Sequence, residues 1–290
     1  MASILTNSSA LTALRNLANT QKSLAGTQNQ ISTGLRVAEA SDNATNWSVS
    51  TQMKSDNSVI GTIKSSLEQS SATVNTATGA LNKLVDALTS IKNELAKAKN
   101  EIGGNYTDIN TTIAAKGSEI DGILANAENN GTNLLDGSVT AGTVSFVSGW
   151  SGGTTGSGFK TIDVTLTDLG SAAAGALTAV GTNTSGQAIN ALAVAAATDV
   201  DNMAADVETA LQAVRDYAVE LGAAKNQIDA QSSFLGVLSE SLTNTIGSMV
   251  DADMNEASTR LQALQTQQQL GVQSLSIANQ NSQMILRLFQ

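Results

Sequence analysis

Apolar residues recur at alternating steps of three and four over most of the chain. From Ile60 this spacing selects Ile60, Ile63, Leu67, Ser70, Val74, Ala77, Leu81, Leu84, Leu88, Ile91, Leu95, Ala98 and Ile102, with Ser70 the one break. A second seam runs through Val200, Met203, Val207, Ala210, Val214, Tyr217, Leu221, Ala224, Ile228, Gln231, Leu235, Leu238 and Leu242, with Gln231 its polar member. Sustained heptads of this kind predict coiled-coil helices. Each would be about 63 Å long at 1.5 Å per residue, and their equal lengths predict that they lie side by side.

A shorter seam, Tyr106, Ile109, Ile113, Lys116, Ile120, Ile123 and Ala127, follows Gly103-Gly104 and predicts a third helix folded back on the first. The Asn/Gly-rich stretch at 129–137 ends it. Between 138 and 186 the pattern changes: "TVSFVSGW" and "FKTIDVTL" alternate at period two around "SGGTTGSG", which predicts a β-hairpin with a long tip. A small-residue loop follows.

The two ends carry seams of their own. Leu14, Leu17, Gln21, Leu24, Gln28, Ile31 and Leu35 form one; Leu261, Leu264, Gln268, Gly271, Leu275, Ala278, Ser282, Ile285 and Phe289 form the other. Glutamines at seam positions weaken packing and fix register. Several apolar residues of the last helix, Leu270 and Ile277 among them, fall off the seam and need neighbours that one partner helix does not supply. Ordering each residue costs about 1–2 kcal/mol, so one buried stripe leaves such ends under-stabilised until further copies cover them. The expected fold is mainly α: long antiparallel coiled-coil helices in a bundle, with a small β-hairpin region in the middle of the chain.

Composition narrows the chemistry. The chain has 290 residues, 24 Gly, and no Pro, Cys or His. Helices therefore run without a forced break, thiolate and disulfide chemistry are excluded, and the best proton-transfer side chain near neutrality is missing. A net charge of -10 opposes nucleic-acid binding. No stretch reaches the length of a membrane span and no cleavable signal pattern opens the chain, so no membrane insertion is expected.

Charge placement says more. The first acid is Glu39 and the last is Glu256, so residues 1–38 and 257–290 hold none of the 25 Asp and Glu. Amides replace them. Charges are costly to desolvate whereas amides pair with one another, and both ends read as built for burial together.

These residues carry a resemblance. "SALTALRNLANTQKSLAGTQNQISTGLRV" near the start and "VDADMNEASTRLQALQTQQQLGVQSLSIANQNSQMILRLF" at the end resemble the termini of bacterial flagellin; "LGAAKNQID" at 221–229 and "NGTNLLDG" at 130–137 are similar to further flagellin segments. The resemblance implies a subunit that self-assembles into the swimming filament. It implies export without a cleaved signal through the flagellar type III apparatus, and residence in the extracellular flagellum. It further implies contacts with an export chaperone and with cap and hook-associated proteins.

The implied organisation pairs 1–38 with 257–290 as an inner layer (D0). It places 39–137 and 187–256 in a surrounding helical bundle (D1) and turns 138–186 outward as a small insert. Where many family members carry an arginine that supports innate-receptor recognition, Ser90 stands here. Surface Ser and Thr in 138–186 are offered as O-glycan acceptors, with unmodified loop residues as the alternative.

Candidate sites follow from both readings. For the inner core these are Leu14, Leu17, Leu24, Ile31, Leu275, Ile285 and Phe289. For the joint between layers they are Arg36, Asp251 and Asp253, with Asp42, Asp251 or Asp253 as the carboxylate that could hold Arg36. The two aspartates read more simply as helix caps than as metal ligands, and Trp47 and Trp150 read as packing residues. No cofactor, metal site or catalytic set is expected. A hook–filament junction protein shares the terminal pattern and stays as an alternative. A membrane-active amphipathic protein is a distant one, disfavoured because the polar faces of the ends carry Gln where such a protein would be rich in Lys and Arg.

Overall fold

A computed structural model describes residues 7–137, 142–151, 158–170, 175–177 and 183–288, with the side chains of the last helix described as far as Gln280. The six-residue hairpin tip at 152–157, much of the following small-residue loop, and Phe289 lie outside the described residues, as does the side chain of Ile285. Five α-helices account for most of the chain: α1 Ser8–Thr33, α2 Ala44–Lys99, α3 Thr107–Asn126, α4 Val200–Val250 and α5 Met254–Leu288. Two small antiparallel pairs, β1 Glu128–Asn129 with β2 Thr132–Asn133 and β3 Thr143–Ser151 with β4 Gly158–Thr165, fill the middle. The chain divides into two compact units, 1–57 with 240–290 and 58–239. The division falls inside α2 and α4, not at 38/39 and 256/257 where the charge pattern changes.

In the unit of 58–239, α2 buries the predicted stripe from Ile60 to Ala98, and α4 buries Val200 through Leu235 on the same spacing. Side-chain contacts set their register. Ser71 donates to Asp229 and Lys99 pairs with Asp201 at 2.6 Å, while Lys92 pairs with Glu208. The spacing from Ser71 through Lys92 to Lys99 down α2 equals that from Asp229 through Glu208 to Asp201 up α4, so the helices are antiparallel and in step. Ser70, the break in the seam, is buried and returns its hydroxyl to the Ser66 carbonyl at 2.8 Å. Ile102 is an exception: α2 stops at Lys99, and Ile102 is fully exposed.

α3 buries Ile113, Gly117, Ile120 and Leu124, so its stripe passes through Gly117, not the predicted Lys116. The reason is steric. A Cβ on Gly117 would stand 1.9 Å from the Asn190 carbonyl oxygen, leaving no room for a side chain where the strap around 189–191 crosses α3. Lys116 turns instead to Glu119, at 2.6 Å.

The end of α3 leads into a two-residue hairpin loop in which Asn130 (φ 52) and Gly131 (φ 78) both adopt left-handed conformations. Asn-Gly suits this turn because its twist matches that of the flanking strands. Beyond it the buried Tyr217 of α4 donates its hydroxyl to the Leu134 carbonyl at 2.7 Å. Burial, then the Glu220 charge, pushes its phenol above the ordinary range. The strap is tied to α4 as well: both carboxylate oxygens of the buried Asp206 accept main-chain N–H groups, from Thr184 at 2.8 Å and Ser185 at 2.7 Å.

The β3–β4 pair follows the predicted alternation up to a bulge. Phe146 faces Ile162 and Val144 faces Val164 on the buried side, but Ser148 is skipped and Gly149 pairs with Lys160. Gln231, the polar member of the α4 seam, donates to the Ser148 carbonyl at 2.8 Å and so satisfies the bulge.

Candidate functional site

The unit of 1–57 and 240–290 holds the acid-free ends. α1 starts at Asn7, whose side chain accepts from the Ala10 N–H at 3.0 Å and donates to the Ala278 carbonyl at 3.0 Å. One residue thus caps α1 and ties it to α5. α1 stops at Gly34, in the left-handed conformation (φ 72), whose N–H returns to the Gln30 carbonyl. α5 begins at Asp253, whose carboxylate caps it by accepting the Asn255 and Glu256 N–H groups.

The two helices pair along one stripe each. On α5 it follows the predicted stripe as far as side chains are described: Leu261, Leu264, Gln268, Gly271, Leu275 and Ala278 are half-buried, and the buried Ala257 extends it toward the start of the helix. Gly271 lies against Leu17, whose Cδ1 is 3.3 Å from where a Cβ would stand. On α1 the stripe consists of Ala10, Ala13, Leu17, Thr20, Leu24, Thr27 and Ile31. It shares Leu17, Leu24 and Ile31 with the expected seam but turns Leu14, Gln21 and Gln28 outward, and Leu14 is 54% exposed. Both spacings are strict heptads through the same three residues. The smaller alternatives win because α5 approaches closely at Gly271 and the amides keep their water.

The outward side of the pair is therefore apolar too. Leu11 and Leu14 stand exposed on α1, and Leu270, Val272 and Ile277 on α5. Leu270 and Ile277 are one heptad apart, as are Leu14 and Gln21. Between α1 and α5 a surface groove of about 410 Å³ is lined by Ser23, Gly26, Thr27, Gln30, Arg260 and Leu264.

The joint next to the pair is a short antiparallel meeting of the two chain segments. Leu35 bridges Asp251, the Ala252 N–H donates to the Gly34 carbonyl at 2.9 Å, and the Arg36 and Val37 N–H groups share the Val250 carbonyl. Val37, Ile246 and Val250 form a buried cluster with Leu35, Met53 and Met249 around it. Arg36 does not take the carboxylate partner considered for it. Its guanidinium donates to the main-chain carbonyls of Met249 (3.1 Å) and Ser248 (3.5 Å), at the end of α4. Carbonyls left without helical partners, at the negative end of the helix dipole, attract a cation there.

Asp42 is occupied elsewhere, accepting the Ala38 and Glu39 N–H groups. Asp251 lies beside Gly247, and Asp253 caps α5. Among the described residues no ion pair joins Arg36 to any of the three, and no cluster of three or more Asp or Glu is arranged to hold a metal. No described helix is long and apolar enough to cross a membrane.

Known proteins are similar to this chain in sequence along its whole length. The bacterial flagellin N-terminal helical region matches residues 4–140 and the C-terminal helical region matches 204–289. A flagellin of Brucella melitensis is 45% identical over the whole of both chains, and flagellin C of Rhizobium meliloti is 37% identical over the same extent. Flagellin FljM of Caulobacter vibrioides is 35% identical over 99% of this chain and 98% of its own. Paired ends matched by one family's two terminal regions, with relatives similar from end to end, make this chain a member of the bacterial flagellin family.

Proposed function

We propose that the chain is a filament subunit that polymerises without catalysis, and that α1 and α5 line the filament interior. The observation that carries this reading is the second, uncovered stripe. After α1 and α5 have spent one face on each other, Leu11 and Leu14 on one and Leu270 and Ile277 on the other stay exposed on faces without acid. Faces of this kind suit further copies of the same helices, in head-to-tail contacts that do not close.

In this reading residues 1–38 and 257–290 form the inner layer and 39–137 with 187–256 the bundle around it, while 138–186 faces outward. Leu17, Leu24, Ile31 and Leu275 set the pairing within a subunit; Leu14 belongs to the contact between subunits; the side chains of Ile285 and Phe289, the remaining inner-core candidates, lie outside the described residues. Arg36 holds the angle of the joint through the end of α4, with Asp253 capping the next helix and Asp251 bridging Leu35. Export proceeds without a cleaved signal through the flagellar apparatus, with chaperone, cap and hook-associated proteins as partners, and the destination is the extracellular filament.

Electron microscopy of the purified protein after seeding or salting out tests the reading. Tubular polymers of uniform diameter are expected. A protein that stays monomeric under both treatments overturns it.

A further inference from the structure

The bulge in β3 changes which way an aromatic residue faces. Continued alternation from Phe146 through Ser148 would carry Trp150 to the buried side. Skipping Ser148 brings Trp150 opposite Phe159 on the solvent side, with ring centroids 5.1 Å apart and planes tilted by 53°. Trp150 is 36% and Phe159 59% exposed. The packing role expected for Trp150 is therefore only part of its situation. Val147, Ser145, Thr161 and Asp163 share this face by pairing register, and Asp163 is the one charged side chain on it among the described residues.

We propose that this face of the β3–β4 hairpin binds neutral carbohydrate. The apolar C–H face of a pyranose fits the electron-rich ring faces of Trp150 and Phe159. Ser145, Thr161 and Asp163 offer hydroxyl and carboxylate groups to its hydroxyls. Area decides against a protein partner. With side chains of about 150–250 Å² each, the open part of the two rings is roughly 200 Å², far short of the about 800 Å² per partner in a stable protein interface. It matches about one or two sugar rings.

Charge decides against an anionic membrane or an acidic polymer. No Lys or Arg joins Asp163 on the face, and the chain carries -10 overall. One such site is weak. The proposal rests on the filament reading for its strength, because a polymer repeating the site along its surface binds a polysaccharide by avidity.

The test uses the full-length protein, monomeric and assembled, in a Trp47→Phe background so that emission reports Trp150 alone. The probes are cellohexaose, mannohexaose and chitohexaose. At least one is expected to shift Trp150 emission. Phe159→Ala, at a largely exposed position, is expected to weaken that response about tenfold. Filaments should be retained on a matrix bearing the same sugar, and Trp150→Ala filaments should not.

No shift with any of the three probes overturns the proposal, as does a shift unchanged by Phe159→Ala or preferential capture by phosphatidylglycerol vesicles. If Phe159→Ala abolishes side-by-side association of filaments and leaves sugar retention intact, a second copy is the occupant and the proposal falls. Electron microscopy of the same samples separates the two readings. Filaments that form and ignore sugar sink only this proposal; a protein that binds sugar and never polymerises sinks only the filament reading.

Discussion

Leu17 of α1 presses its Cδ1 to within 3.3 Å of the space above the Gly271 Cα on α5. A small residue in the middle of a helix ordinarily costs stability, about 1 kcal/mol for Gly against Ala, so its value here lies in how near it lets α1 come. Gly271→Leu should overpack the stripe by about 1–3 kcal/mol and push the helices apart. The expected outcome is faster proteolysis of both ends in the monomer and a raised critical concentration for polymerisation. Gly271→Ala, whose added methyl needs Leu17 to give by only a few tenths of an ångström, should polymerise nearly as the parent does.

The Arg36 contact with the Met249 carbonyl gives a second prediction. The guanidinium is exposed, so a screened hydrogen bond there contributes only about 0.5–1 kcal/mol. Arg36→Ala should leave the melting temperature almost unchanged but loosen the angle at which α4 gives way to α5. Filament curvature and swimming speed are the readouts. Because the partners are main-chain carbonyls at a helix end, Arg36→Lys should retain most of the parent shape. A carboxylate partner would have made Asp42→Asn or Asp253→Asn the matching loss, and those variants are expected to act through caps and turns alone.

Much of this architecture is legible in the sequence because coiled-coil seams are local and long. The stripes of α2 and α4 run as the heptads predict, and the β3–β4 alternation holds as far as the bulge. What the heptads do not resolve is a tie. In α1 two stripes share Leu17, Leu24 and Ile31, and the approach of α5, where Gly271 meets Leu17, goes with Ala13 turned inward and Leu14 outward, a choice that depends on the partner helix. Lys116 and Gly117 are the same problem in α3, settled by the Asn190 carbonyl of a strap distant in sequence. The bulge at Ser148 escapes a period-two reading for a related reason: its stabilising partner is Gln231, on α4. Asn130-Gly131 was open to sequence reasoning, since the pair is a strong hairpin signal, but as a helix stop alone it hides the turn.

Asp206 supplies a pH prediction. Burial by itself raises its pKa, but the hydrogen bonds from Ser185 and Thr184 outweigh burial and hold it below its ordinary 3.8. A carboxylate lowered on folding contributes stability above its unfolded pKa and loses it as pH falls through the folded value. The strap at 183–191 should therefore stay closed from neutrality down to about pH 4 and open only in stronger acid. Asp206→Asn, which replaces one accepting oxygen with a donor facing an N–H, should cost roughly 1–3 kcal/mol at neutral pH. Hydrogen exchange at the Thr184 and Ser185 amides should speed up in this variant and lose its steep acid dependence.

Leu275 and Leu14 separate pairing within a subunit from packing between subunits. Leu275 lies on the half-buried stripe of α5 facing α1, whereas Leu14 is 54% exposed in the single chain. Leu275→Asp places a charge in a contact that pairing desolvates, so it should loosen α1 against α5 in the monomer as well as abolish polymerisation. Leu14→Asp meets water in the monomer and should leave its proteolysis pattern and circular dichroism unchanged, yet still block filament growth, because in the proposed inner layer a neighbouring copy desolvates that position. Limited proteolysis of unassembled protein measures the pairing within a subunit, and sedimentation after seeding measures the packing between subunits. Normal filaments from Leu14→Asp would mean that the outward stripe of α1 faces solvent in the polymer too, and the inner layer would then have to be built on α5 alone.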